Sequence, residues 1–159
     1  MAGMRFSSAL LCIPFLFSAL SAQTPKAGTS PCSLVTKAEI EEAVGGPVSD
    51  GVANAHNKMV CDYKAGAAGT FNILLTSKAA GDKAERTVAE LKKRGIQAEL
   101  VPGFGESAYA TRPGPGMQQL GVYKGSSHVI VTAMMFGKPD AKAKAVCQAI
   151  MRKALPRVP

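Results

Sequence analysis

Along this chain the spacing of apolar positions changes from one stretch to the next, and each change marks an element. After Thr36, the residues Ile40, Ala43 and Val44 recur at helical intervals. Thr36 followed by Glu39 forms a capping box, Val35 and Ile40 occupy the two positions of a hydrophobic staple, and Gly45 supplies a stop. A helix this short persists only if it docks. Residues 47–57 read as a polar loop. Over 58–65 the pattern alternates, with Met59, Cys61 and Tyr63 on one side and Val60 and Asp62 on the other. Residues 66–69 form a turn, and alternation resumes over 70–77 with Phe71, Ile73 and Leu75 opposite Asn72, Leu74 and Thr76. Two alternating runs separated by turn residues predict a hairpin.

Residues 82–94 return to a helical period through Ala84, Val88 and Leu91, with Asp82–Arg86 and Glu90–Arg94 placed to pair across a turn. Residues 96–101 carry no decisive period. Extended segments follow at 107–111, 117–124 and 128–136, the last two joined by Gly125-Ser126. The last is apolar on both sides, Val129, Val131, Ala133 and Met135 against Ile130, Met134 and Phe136, which predicts a central strand covered on both faces. A final helix opens at Pro139-Asp140 and would bury Ala143, Val146, Cys147, Ile150 and Ala154. The order α-β-β-α-β-β-β-α, with hairpins and no βαβ alternation, predicts an α+β domain of three helices on a mainly antiparallel sheet.

The chain has 159 residues, 47% of them hydrophobic and 19% charged. That length and balance fit one folded domain and exclude disordered, collagen-like and cysteine-dense classes. Residues 1–22 have the three-part layout of a secretory signal peptide: Arg5, an apolar run over 9–17, then Ala19 and Ser21 ahead of a cut after Ser21 or Ala22. The run is too short to span a bilayer, and no other stretch approaches that length. Cys12 follows Leu10-Leu11 and lacks the small residue that lipid attachment wants immediately before it. The expected division is a signal at 1–22, a flexible leader at 23–31 and one domain at 32–157.

Export leaves Cys32, Cys61 and Cys147, an odd number with three possible pairings. Cys32 with Cys61 is the expected bond, since it closes a short loop and pins the first helix to the first strand. Cys147 is expected as a buried thiol behaving as a small hydrophobe.

The segments CSLVTKAEIEEAVG at 32–45, CDYKAG at 61–66 and VPGFGESAYA at 101–110, with a late hydrophobic strand before a terminal helix, resemble a broad group of small exported bacterial proteins and lipoproteins. In that group a cysteine precedes a threonine-capped helix ending in glycine, and a second cysteine in the first strand is followed by an aromatic. Cys32, Thr36, Gly45, Cys61 and Tyr63 occupy those positions here. The resemblance implies the Cys32–Cys61 bond and the α+β order, and it carries over no catalytic residue. Some related exported domains look like PsbP-type sandwiches or receptor-kinase sensor domains, an analogy that points to binding.

Candidate chemistry is sparse. His56 and His128 have no metal-ligand spacing around them, and the glycines at 103–105 and 114–116 match no nucleotide fingerprint, so neither metal nor cofactor is expected. A small hydrolytic enzyme would need His56 or His128 beside Ser107, Cys147 or a carboxylate. The formal charge of +8 falls by one when Arg5 leaves with the signal. Lys92, Lys93 and Arg94 form the densest basic cluster, a candidate anion-binding patch. Lys142, Lys144, Arg152, Lys153 and Arg157 form a second basic region. Anionic lipid, glycan or cell-wall polymer would suit them. Nucleic acid is disfavoured because no aromatic residues interleave with the cations. Met117, Tyr123, Met134 and Phe136 form a candidate apolar groove. The expected function is a non-catalytic ligand- or protein-binding domain of the periplasm or cell surface, with the hydrolase and an accessory structural envelope protein as alternatives.

Overall fold

The computed structural model describes residues 29–159. The expected signal peptide at 1–22 and residues 23–28 of the expected leader lie outside the described residues. A 3₁₀ turn at Pro31–Ser33 leads into α1 (Lys37–Val44), then β1 (Val52–Ala53), β2 (Val60–Lys64) and β3 (Thr70–Ser77). After α2 (Ala84–Lys93) come β4 (Gln97–Leu100), β5 (Ser107–Gly114), β6 (Met117–Lys124), β7 (Ser127–Met134) and α3 (Asp140–Ala154). The strands form one seven-stranded sheet in the order β1-β2-β3-β7-β6-β5-β4, antiparallel at every pairing. The protein is α+β. The predicted order of elements is present, with the short edge strands β1 and β4 added to it.

Chain connectivity explains the strand order. β2 and β3 form the first hairpin, α2 carries the chain across the sheet, and β4 to β7 meander back until β7 lies against β3. Leu75 therefore pairs with Val129 and Ile73 with Val131, although they are far apart in sequence. On one face of the sheet, here the inner face, Cys61, Phe71, Ile73, Leu120, Val122, Val129 and Val131 pack beneath α1 and α3. α2 packs on the opposite, outer face, over β4, β5 and β6.

The entry into α1 is tied to β2 twice. Cys32 and Cys61 are joined by a disulfide, and the hydroxyl of Tyr63, two residues along on the same face, donates to the Val35 carbonyl at 3.0 Å. The capping box forms as the sequence predicts: the Thr36 amide donates to the Glu39 carboxylate at 2.9 Å, and the Glu39 amide to the Thr36 hydroxyl at 3.3 Å. Gly45 then ends α1 in the left-handed region at φ 79°. From the far end of the chain, Arg157 grips the same carboxylate with two hydrogen bonds of 2.8 Å and donates to the Leu34 carbonyl at 2.9 Å.

Several expectations need correction. The helix over 82–94 is shorter, because Asp82 is spent in a turn, where its carboxylate accepts from the Ala79 amide. Glu90 pairs with Lys93 instead of Arg94. The strand expected at 107–111 continues to Gly114 through an irregular register after Thr111. β7 is central, but its two faces differ. Val129, Val131 and Ala133 are fully buried, while Ile130 and Met134 are half-buried because α2 stops at β6. Pro31, assigned to the flexible leader, is buried at the start of the 3₁₀ turn.

The disulfide closes a 29-residue separation, for which chain entropy gives about 3–4 kcal/mol of stabilisation. Urea unfolding of Cys32→Ala/Cys61→Ala should show a loss of about that size relative to the oxidised protein. The unfolding slope should also change, because the unfolded chain is no longer cross-linked.

Candidate binding surfaces

The outer face of the sheet divides into a covered and an uncovered half. In the covered half, Ala84 and Val88 of α2 pack on Tyr109 and Tyr123 in a small second core, with Leu91 and Ala98 at its edge. Tyr109 can lie flat across β6 because its neighbour is Gly121; a Cβ there would stand 2.3 Å from the tyrosine ring. Tyr109 and His128 are hydrogen-bonded at 3.2 Å, Tyr123 stacks on His128 at 4.1 Å between ring centroids, and the Thr87 and Tyr123 hydroxyls are 2.8 Å apart. Burial holds the His128 imidazole below its ordinary pKa, against a smaller pull upward from Asp82. The imidazole is therefore neutral at pH 7 and serves as a hydrogen-bonding wall where α2 ends and the open face begins.

In the uncovered half, strand register sets the surface. Val60, Leu74, Ile130 and Gly121 lie in one cross-strand row, and Asp62, Asn72, Thr132 and Gln119 in the next. Lys64, Thr70, Met134 and Met117 make a third. Gln119 donates to the Thr132 hydroxyl at 3.2 Å. Val60, Leu74, Ile130, Met134 and Met117 are all half-buried, two apolar groups parted by the polar middle row on a strip of sheet with no helix over it among the described residues. Phe136, 71% exposed, stands just past β7 at the Met134 end of this strip.

The structure therefore brings together three of the four residues of the expected apolar groove. Met117 and Met134 are direct cross-strand partners, and Phe136 sits beside Gly116 in the preceding turn. Tyr123 is at the other end of β6, six residues and about 20 Å away, buried beneath α2. Sequence reasoning left out Ile130, which it had placed on the Met134 face of the same strand, and Leu74 and Val60, which join that face only once β2, β3 and β7 are paired. The period-two alternation was their signal, but it cannot say which side lacks a helix.

Lys92, Lys93 and Arg94 lie together and exposed at the C-terminal end of α2. Cations there complement the helix dipole, and Lys93 is paired with Glu90 at 2.9 Å. Of the second basic region, Lys142 is exposed and the other four cations make contacts within the fold. Lys144 pairs with Glu99, Lys153 with Glu42 and Arg157 with Glu39, and Arg152 lies 5.1 Å over the Phe104 ring.

The residues considered for hydrolysis are not assembled. The Ser107 hydroxyl accepts from the Ala84 amide at 3.2 Å at the start of α2. Ser107 and His128 flank Tyr123 on opposite sides, which separates their Cα atoms by about 10 Å. Cys147 lies beneath the inner face, bonded to the carbonyls of Gln118 and Val131, so the sheet stands between it and His128. Burial pushes its thiol up to about 12. The His56 amide closes a loop turn onto the Asn54 side chain. Glu106 accepts from Lys78 and from the Gly125 amide, both at 2.7 Å, bracing the glycine-rich bend. Among the described residues no three of His, Cys, Asp or Glu converge as metal ligands.

No family model matches the chain, and no curated protein matches it. Among solved structures it is similar to a GTP binding regulator from Thermotoga maritima, at 12% identity and a TM-score of 0.39, over 80% of this chain and 92% of that one. A likeness at that level says nothing about the chemistry of this chain.

Two measurements test these arrangements. Gly121→Ala should destabilise the protein by about 1–3 kcal/mol in urea, because the added methyl must displace the Tyr109 ring. The same variant should shift the His128 ring resonances in NMR spectra. Glu39→Gln keeps the capping geometry but removes the charge facing Arg157. Arg157 and the Thr36 groups hold the Glu39 carboxyl at about 2, against an ordinary value of 4.5. The stabilisation is therefore fully present above pH 4.5 and lost as pH falls towards 2. Urea midpoints of wild type and variant should differ most above pH 4.5 and converge on acidification.

Proposed function

We propose that this chain is an exported, non-catalytic binding domain that docks a protein partner on the uncovered half of its outer sheet face. The observation that carries this reading is the uncovered sheet face beside α2, where Val60, Leu74 and Ile130 on one side of a polar row and Met117 and Met134 on the other are left half-exposed, with Phe136 next to the methionines. Uncovered sheet that mixes apolar side chains with a row of hydrogen-bonding groups has the composition of a protein-binding surface. Export is supported by the signal-like first 22 residues and by the Cys32–Cys61 bond, since such bonds persist in oxidising compartments. Among the described residues no helix is long and apolar enough to cross a membrane. The capped helix start and the tie from Tyr63 support placing the chain with the small exported bacterial proteins it resembles.

Site-specific photo-crosslinking in the producing cell tests the docking face. A photoreactive residue at Ile130 or Phe136 should give a discrete adduct, and one at Glu85 on the exposed side of α2 should give none. Equal adducts at all three positions, or none at any, would overturn the assignment. The mass of the exported protein tests the compartment: it should begin at Ala22 or Gln23 and take up one alkyl group, on Cys147, only after denaturation. An intact Met1 with three reactive thiols would exclude export.

A further inference from the structure

On the inner face, α3 runs over the sheet with Arg152 near Phe104, Lys144 near Glu99 and Asp140 near Arg112. Phe104 fills the space between α3 and the sheet at one end. At the other end the facing side chains are Ala110 and Ala141, and a cleft of about 310 Å³ remains. Its floor is Gln118, only 8% exposed.

Gln118 has an unusual position. It alternates with Leu120 and Val122 on the inner side of β6, where an apolar residue would ordinarily sit. Among the described residues its side-chain amide has no hydrogen-bond partner. Yet no fully enclosed side-chain nitrogen or oxygen in the described residues lacks one. The small part of Gln118 that remains accessible is therefore its amide, and Gln118 lines the cleft. An accessible amide with no protein partner is free to bond a molecule that enters the cleft.

The rim is also specific. Arg112 and Asp140 pair at 2.9 Å, and Lys144 and Glu99 at 2.6 Å, giving two cations and two anions around one opening. All four are partly exposed, so exchanging partners costs little. A lone anion entering here would face Asp140 and Glu99, and a lone cation would face Arg112 and Lys144. A molecule carrying both charges can replace each pair without leaving a charge opposed. The Gln118 amide offers a donor and an acceptor together, which again suits a dipolar ligand. The volume lies at the small end of ligand pockets.

We infer that this cleft is a binding site for a small zwitterion of the amino-acid class. The ligand carboxylate meets Arg112 or Lys144, its ammonium meets Asp140 or Glu99, and Gln118 bonds the group that reaches the floor. This site is independent of export and of the outer sheet face, on the opposite side of the sheet.

The test is NMR titration of the folded oxidised protein with glycine, glutamine, glutamate and lysine, with acetate and methylamine as singly charged controls. At least one amino acid should saturably shift the Gln118 side-chain NH₂ resonances and bind at least tenfold more tightly than either control. Gln118→Leu, with fold checked by circular dichroism, should weaken that binding at least tenfold. Arg112→Gln, remote from the core, should do the same and serves if the first variant does not fold. Absence of a shift with all four amino acids, acetate binding as tightly as they do, or unchanged affinity in the folded variants would each overturn the assignment.

Discussion

The organising constraint is how much sheet three helices can roof. A helix is about 10 Å across with its side chains and strands lie about 4.8 Å apart, so one helix covers about two strands. This sheet has seven strands and two faces. α1 and α3 go to the inner face, where the wholly buried Val129, Val131 and Ala133 require them. That leaves α2 alone on the outer face, where it covers β4 to β6. Both candidate surfaces follow from this shortage: the open strip over β2, β3 and β7, and the cleft where α3 runs past two alanines on the inner side.

Much of the fold was legible because its signals are local. Thr36 and Glu39 sit three apart, Phe71-Ile73-Leu75 alternate, and α3 shows its apolar stripe, each within a few residues. β1 and β4 were not legible as strands: Gln97, Ala98, Glu99 and Leu100 do alternate polar with apolar, but four residues between Ile96 and Val101 are too short a run to decide a period. Which ionic partners form was equally hidden. Lys144 finds Glu99 and Arg157 finds Glu39 only after the layers stack, and sequence spacing offers Glu90 two partners without choosing. The candidate groove was half legible. Met117 and Tyr123 do share a face, but β6 is long enough to place them in different environments. Gln118 did leave a trace, a polar residue at an inward position of β6, which is easily passed over because Gln119 beside it is polar too.

The charge reading shifted most. A basic excess suggests an anionic partner when cations stand free, yet here Lys78, Lys93, Arg112, Lys144, Lys153 and Arg157 all face carboxylates. Lys124 donates to the Leu155 and Val158 carbonyls at the end of the chain. Net charge is the excess of cations over carboxylates, which pairing leaves unchanged, and the packing places part of that excess on the exposed Lys92, Arg94 and Lys142.

Arg157 reaches back to Leu34 and Glu39 across more than a hundred residues, and β3 waits for β7 to complete its ladder. Contacts of such long range are slow to form and come late in folding. A chain leaving the ribosome would thus have its first helix, its disulfide strand and half its sheet synthesised well before the residues that lock them arrive. Such a chain stays loosely structured through most of its synthesis. A translocation channel that accepts only unfolded polypeptide would still find it threadable after its N-terminal half had long been made.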